Sequence, residues 1–112
     1  MTEKEDTGLV GQVVDLAGLV EYRQASVVSR ELVRRGNGTV TVFAFDAGQG
    51  LSEHTSPFDA MVCILDGSAE ISIDGRPNTV SAGEMLIMPA NRPHALHAQE
   101  RFKMLLTMIR GE

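Results

Sequence analysis

Apolar positions along the chain fall in short runs punctuated by glycine, proline, asparagine and aspartate, with little of the three- and four-residue spacing of an amphipathic helix. Ala69, Ile71 and Ile73 alternate with Glu70, Ser72 and Asp74, the period of two expected of a half-exposed strand. Met61 to Leu65 is continuously apolar, the length of a strand covered on both faces, and it ends at Asp66-Gly67. Residues 39–45, TVTVFAF, follow a Gly36-Asn37-Gly38 turn and carry the β-branched and aromatic content of a strand. In residues 26–35, Glu31 and Arg34 stand at helical spacing. Val27, Val28 and Val33 fit a pleated surface better, so a strand is expected there. Asp74-Gly75 signals a tight hairpin with its return starting at Thr79 and Val80, whereas Asp46 to Gly50 reads as a loop. Met85 to Met88, Pro93 to Ala98 and Phe102 to Ile109 complete a set of eight to ten short strands. The fold class expected is all-β, a sandwich or barrel.

Composition narrows this picture. The chain's 112 residues suit one domain, expected over 9–112 behind a disordered tail at 1–8, and can bury about two-thirds of the unfolded surface. Four Phe, one Tyr and no Trp make the core mostly aliphatic. Ten basic residues stand against fifteen acidic ones, for a net charge of −5, so neither a nucleic acid nor an anionic membrane is an expected partner. No apolar run approaches the roughly 18 residues of a membrane span, and the polar N-terminus is unlike a secretory signal, so a cytoplasmic location is expected. A single cysteine, Cys63, excludes a disulfide framework and a cysteine-based zinc site, and it is expected to be a buried, inert thiol.

Residues 48–98 hold the candidate chemistry. Gly48 is followed after five residues by His54, and Gly67 closes that segment; Gly83, Pro89 and His94 follow in a second one, with fifteen residues between Gly67 and Gly83. These spacings resemble the two motifs of the cupin superfamily, small double-stranded β-helix barrels of the jelly-roll kind. The wording LSEHTSPFDA, GEMLIMPANRPHAL and FKMLLTMI is similar to a group of very small cupins with no assigned activity. The resemblance implies a metal held by three histidines and one glutamate, of which only His54 and His94 carry over. Ser56 and Ala60 replace a histidine and the glutamate, while Asn91 and Ala98 replace a glycine and an asparagine.

Strand alternation then assigns an interior. Ser52, His54 and Ser56 share one side, Ala60, Val62 and Ile64 another, and His94, Leu96 and Ala98 a third, with His97 and Glu53 turned outward. The expected site is an apolar pocket lined by Ser52, His54, Ser56, Ala60, Val62, His94 and Leu96, in which the two histidines orient a small-molecule ligand. They are also the best candidates for acid–base catalysis, since imidazole titrates near neutrality. The alternative is a metal-dependent enzyme, dioxygenase- or isomerase-like, acting on a small organic acid, sugar or phenolic compound. In that reading a divalent Zn, Fe, Ni or Mn is held weakly by His54 and His94, with Asp59 able to swing in from a turn. Two histidines left merely hydrogen-bonded in an apolar barrel, with Ser52 or Ser56 as partner, form the third reading. The methionines are expected as core filler, or alternatively as a deformable pocket lining. Because Met61 to Leu65 is apolar on both sides, its outer face needs a cover, and a homodimer is expected to supply it unless residues 9–35 do.

Overall fold

The computed structural model describes residues 8–111, so all of the expected tail except Gly8 lies outside the described residues. Eight strands form: β1 (Val27–Arg35), β2 (Gly38–Phe45), β3 (Gly50–His54), β4 (Phe58–Ile73), β5 (Arg76–Ser81), β6 (Met85–Met88), β7 (His94–His97) and β8 (Phe102–Arg110). Among the described residues one 3-10 turn, Ala17–Leu19, precedes them. All pairings are antiparallel. One sheet runs β1-β2-β8-β4-β6 and the other β5-β4-β7-β3, giving the all-β barrel that the pattern predicts, curled in the jelly-roll manner that the resemblance implies.

The element common to both sheets is β4. Its first half lies between β8 and β6, its second half between β5 and β7. The expected break at Asp66-Gly67 is therefore a bend inside one 16-residue strand and not a turn between two. A register shift between Ile64 and Asp66 and a positive φ of 74° at Gly67 redirect the strand from one sheet to the other. Asp74-Gly75 does form the expected two-residue hairpin, with both residues at positive φ, the geometry of a type I′ turn.

Inward positions follow the alternation. Ala60, Val62, Ile64, Ala69 and Ile71 of β4 join Phe45, Leu96, Ala98, Phe102 and Met104 in one core between the sheets. On the outside of the first sheet, Val42 and Ala44 are buried beneath Leu16, Leu19, Val20 and Tyr22, with Leu65 and Leu105 at the edge of that cluster. Tyr22 fastens this strap: its hydroxyl donates to Asp66, and Arg101 and Lys103 lie over its ring at 4.9 and 5.1 Å. Lys103 also donates to the Ala17 carbonyl at 2.7 Å. The glycine-broken apolar segment before β1 thus covers part of the outer face. It leaves Met85, Ile87 and Ile109 about half exposed at the far end of the same sheet. Cys63 faces this side and is half-buried, not enclosed as expected.

Candidate functional site

The two histidines meet across the β3–β7 pairing, where His54 stands in register with His94. Their rings are 4.4 Å apart between centroids and lie edge to face at 70°. Each ring is oriented by its own chain: His54 Nδ1 donates to the Ser52 carbonyl at 2.8 Å, and His94 Nδ1 donates to the Arg92 carbonyl at 3.2 Å. A carbonyl oxygen can only accept, so Nδ1 carries a proton in both rings, and in the neutral form of either ring Nε2 keeps its lone pair. His54 is exposed, and among the described residues no buried side-chain nitrogen or oxygen lacks a partner, so the Nε2 of the buried His94 is likewise within reach of solvent or a ligand. His94 is 5% exposed, and burial holds its pKa below the ordinary histidine value, with the neighbouring His54 adding to the effect. At neutral pH it is an uncharged acceptor.

Both rings line a cavity of about 60 Å³ whose remaining walls are Leu51, Ser56, Ala60, Met88, Leu96, Met104, Leu106 and Met108. Of the residues expected at the site, His54, Ser56, Ala60, His94 and Leu96 come together here. Ser52 and Val62 do not. A register shift between Leu51 and His54 breaks the alternation in β3, so Leu51 faces Leu96 and Ser52 is exposed. Val62 is fully buried, but it lies one step deeper along β4 in solid core. Neither serine hydroxyl holds an imidazole: the partner is the Ser52 main chain, and the Ser56 hydroxyl lies 3.4 Å from the Phe58 amide. Asp59 does not swing inward. It lies in β4 and accepts the Ala90 N–H at 2.9 Å, holding the loop before β7. Asn91 in that loop adopts φ 66°, a left-handed conformation that asparagine tolerates, and its N–H donates to the Ser56 carbonyl at 2.7 Å. His97 is exposed, on the outward side of β7.

Leu51 and Leu106 are lining residues that sequence reasoning does not assign, whereas Met88, Met104 and Met108 fall under its alternative of a deformable methionine lining. For β8 the signal was present, since Met104, Leu106 and Met108 repeat with period two. The methionines divide between the two roles considered: Met88 and Met104 are buried core that also faces the cavity, while Met85 points outward.

A resident divalent metal of the Zn, Fe, Ni or Mn type generally takes three or four protein ligands, with carboxylates favoured by the harder ions. The cavity offers two imidazoles and neither a carboxylate nor a thiolate. Among the described residues no group of three or more His, Cys, Asp and Glu could hold an ion. The residues present do not fit such a metal.

Comparison with known proteins agrees with the architecture. The family model described as a cupin domain matches residues 33–109. A conserved protein of unknown function from Streptococcus pyogenes is 43% identical over 100% of this chain and 97% of its own, with a TM-score of 0.90. A cupin superfamily protein from Desulfitobacterium hafniense is 30% identical, covering 90% of this chain and 93% of its own, with a TM-score of 0.85. A cupin 2 conserved barrel domain protein from Leptotrichia buccalis is 41% identical over 87% of this chain but 47% of its own, at a TM-score of 0.84. No curated protein matches the sequence. Among the described residues no helix is long and apolar enough to cross a membrane.

Proposed function

The chain belongs to the cupin family, and on that premise we propose that its barrel is a binding module for a small ligand carrying hydrogen-bond donors. The observation that supports this reading is the pair of Nε2 acceptors at one apolar cavity, both left free because each Nδ1 is committed to a main-chain carbonyl. A small-molecule site is commonly an apolar concavity with a few convergent polar groups. At about 60 Å³ the cavity is far below the roughly 300–1,000 Å³ of drug-sized pockets, so the ligand has a handful of heavy atoms.

Pyrazole, with one N–H donor and a flat apolar body, is a suitable probe. Its titration should move the imidazole signals of His54 and His94 in long-range proton–nitrogen spectra while leaving those of His97 in place. Protonation of His94 turns its Nε2 from acceptor into donor. Its pKa is depressed, so binding should be full at pH 7.5 and fall as the pH is lowered below the ordinary histidine value of about 6.5. A titration at millimolar pyrazole that moves neither imidazole, or moves them equally at pH 7.5 and pH 5, would remove this reading.

We further propose that a second copy of the chain covers the outer-face groove of about 300 Å³ formed by Asp59, Met61, Ile87, Pro89, Thr107 and Ile109. The strap of residues 16–22 stops short of it, and Ile87 and Ile109 are 53% and 56% exposed there. A two-fold pairing would bury the patch against itself. Light scattering on a sizing column should give a dimer at about 50 μM, and Ile87→Glu with Ile109→Glu should give a folded monomer. A monomeric wild type at that concentration would leave the strap as the only cover.

A further inference from the structure

The two imidazoles are aimed by the same local device, a hydrogen bond from Nδ1 to the carbonyl two residues earlier, but the two carbonyls are held differently. Ser52 lies within β3. Arg92 lies in the loop between β6 and β7, outside any strand, and Pro93 after it has no N–H to tie the segment down. The hold comes instead from the Asp74-Gly75 hairpin that follows β4. Asp74 grips the loop on both sides of the Arg92 carbonyl. Its N–H donates to the Pro93 carbonyl at 2.8 Å, and its carboxylate takes the Arg92 guanidinium. Ile73 and His94 form the last register pair between β4 and β7, so this grip is the next step beyond it.

We propose that Asp74 is a positioning residue for this site: through Arg92 it fixes the tautomer of His94, and so decides whether the cavity meets a ligand with two acceptors or with one acceptor and one donor. Which nitrogen of a neutral imidazole carries the proton is set by the hydrogen bond that the other one makes. Here the Arg92 carbonyl keeps the proton on Nδ1 and leaves Nε2 as an acceptor. Once that carbonyl moves away, the proton is free to sit on Nε2, and His94 turns from acceptor to donor. The hydrogen bonds from the Ala90 N–H to Asp59 and from the Asn91 N–H to the Ser56 carbonyl steady the loop as far as Asn91. Asp74 acts on the two residues that follow. The Arg92 and Asp74 side chains are 57% and 32% exposed, and ion pairs so open to water add little to stability. Removing this pair should therefore change the tautomer more than the fold.

The effect on binding rests on the small-ligand reading, whereas the tautomer is read without any ligand. Long-range proton–nitrogen spectra of the free wild type at pH 7.5 should show His94 Nε2 as the unprotonated nitrogen. Asp74→Gly removes the carboxylate but keeps the N–H and a glycine pair that suits the turn, and Arg92→Met removes the guanidinium. Each should give a mixture of His94 tautomers. The double variant should give the same mixture, because either single change already breaks the pair. The His54 pattern, anchored within β3, should stay as it is in all of them. Pyrazole affinity should follow the population. With about one fifth of the chains left in the Nδ1–H form, the apparent dissociation constant rises about fivefold. An unchanged His94 pattern in either folded single variant, or effects that add in the double variant, overturns the inference. So does a change at His54 as large as that at His94, which would mean a general loosening. If His94 changes tautomer as expected while pyrazole binds none of the proteins, the role of Asp74 stands and the small-ligand reading falls.

Discussion

Gly67→Ala is expected to destabilise the protein by about 3–5 kcal/mol, the sum of two effects at one position. The backbone there has φ 74°, which costs a residue with a side chain roughly 1–2 kcal/mol. In addition, an added Cβ would lie 2.2 Å from the Arg101 carbonyl oxygen and 3.2 Å from Phe102 Cα, both backbone atoms of the adjacent segment. A flexible side chain could step aside; a paired strand cannot, so β8 would have to part from the bend of β4. With typical stabilities of about 5–15 kcal/mol, the loss is a large fraction of the whole. Equilibrium urea unfolding should show a lower midpoint with little change in slope. Gly75→Ala serves as the control. Its φ is 78° but nothing lies within 4 Å of the new Cβ, so only the conformational part, about 1–2 kcal/mol, should be lost. Equal effects at the two positions would mean that the close approach at Arg101 contributes nothing.

A second large effect is expected for Phe102→Ala, at about 3–5 kcal/mol by the usual cost of emptying a buried aromatic site. Phe102 is fully buried and stacks on Phe45 at 4.5 Å, with ring planes 13° apart; Phe45 in turn lies 5.8 Å from Phe43. These rings fill the end of the barrel beside the β4 bend, where Phe102 pairs with both Gly67 and Phe45. Phe102 does not itself line the cavity with the histidines, whose lining on β8 begins two residues away at Met104 and runs to Met108. Stability and binding should therefore separate: the melting temperature falls, while the pyrazole-induced shifts of His54 and His94 persist in the folded fraction. Loss of those shifts below the transition would show that the two ends of the barrel are coupled.

How much could be read from residues alone depended on whether local alternation persisted. Along β4 and β7 it does, so Ala60, Val62 and Ile64, and likewise His94, Leu96 and Ala98, lie on the sides that period two assigns. In β3 one irregularity between Leu51 and His54 is enough to exchange Ser52 for Leu51 at the cavity. Nothing in GLSEH announces it, because the shift is set by pairing with β7 and not by local preference. The Asp66-Gly67 pair shows the complementary problem. The same dipeptide chemistry serves a turn at Asp74-Gly75 and a bend at 66–67, and only the partners on either side distinguish them. The outer strap was undecidable for a similar reason: Leu16, Leu19, Val20 and Tyr22 become a cover only once Val42 and Ala44 lie beneath them.

The sheet order has a consequence for how the chain reaches this state. β8 is the last strand in sequence, yet it sits between β2 and β4 in the middle of the first sheet. On a ribosome the facing edges of those two strands would remain without their hydrogen-bond partner until residues 102–110 had been made. The barrel then cannot close progressively from its N-terminal side during synthesis. Its core forms late, through pairings of long sequence separation, and the open edges of β2 and β4 are the surfaces a nascent chain would have to keep from associating with other chains.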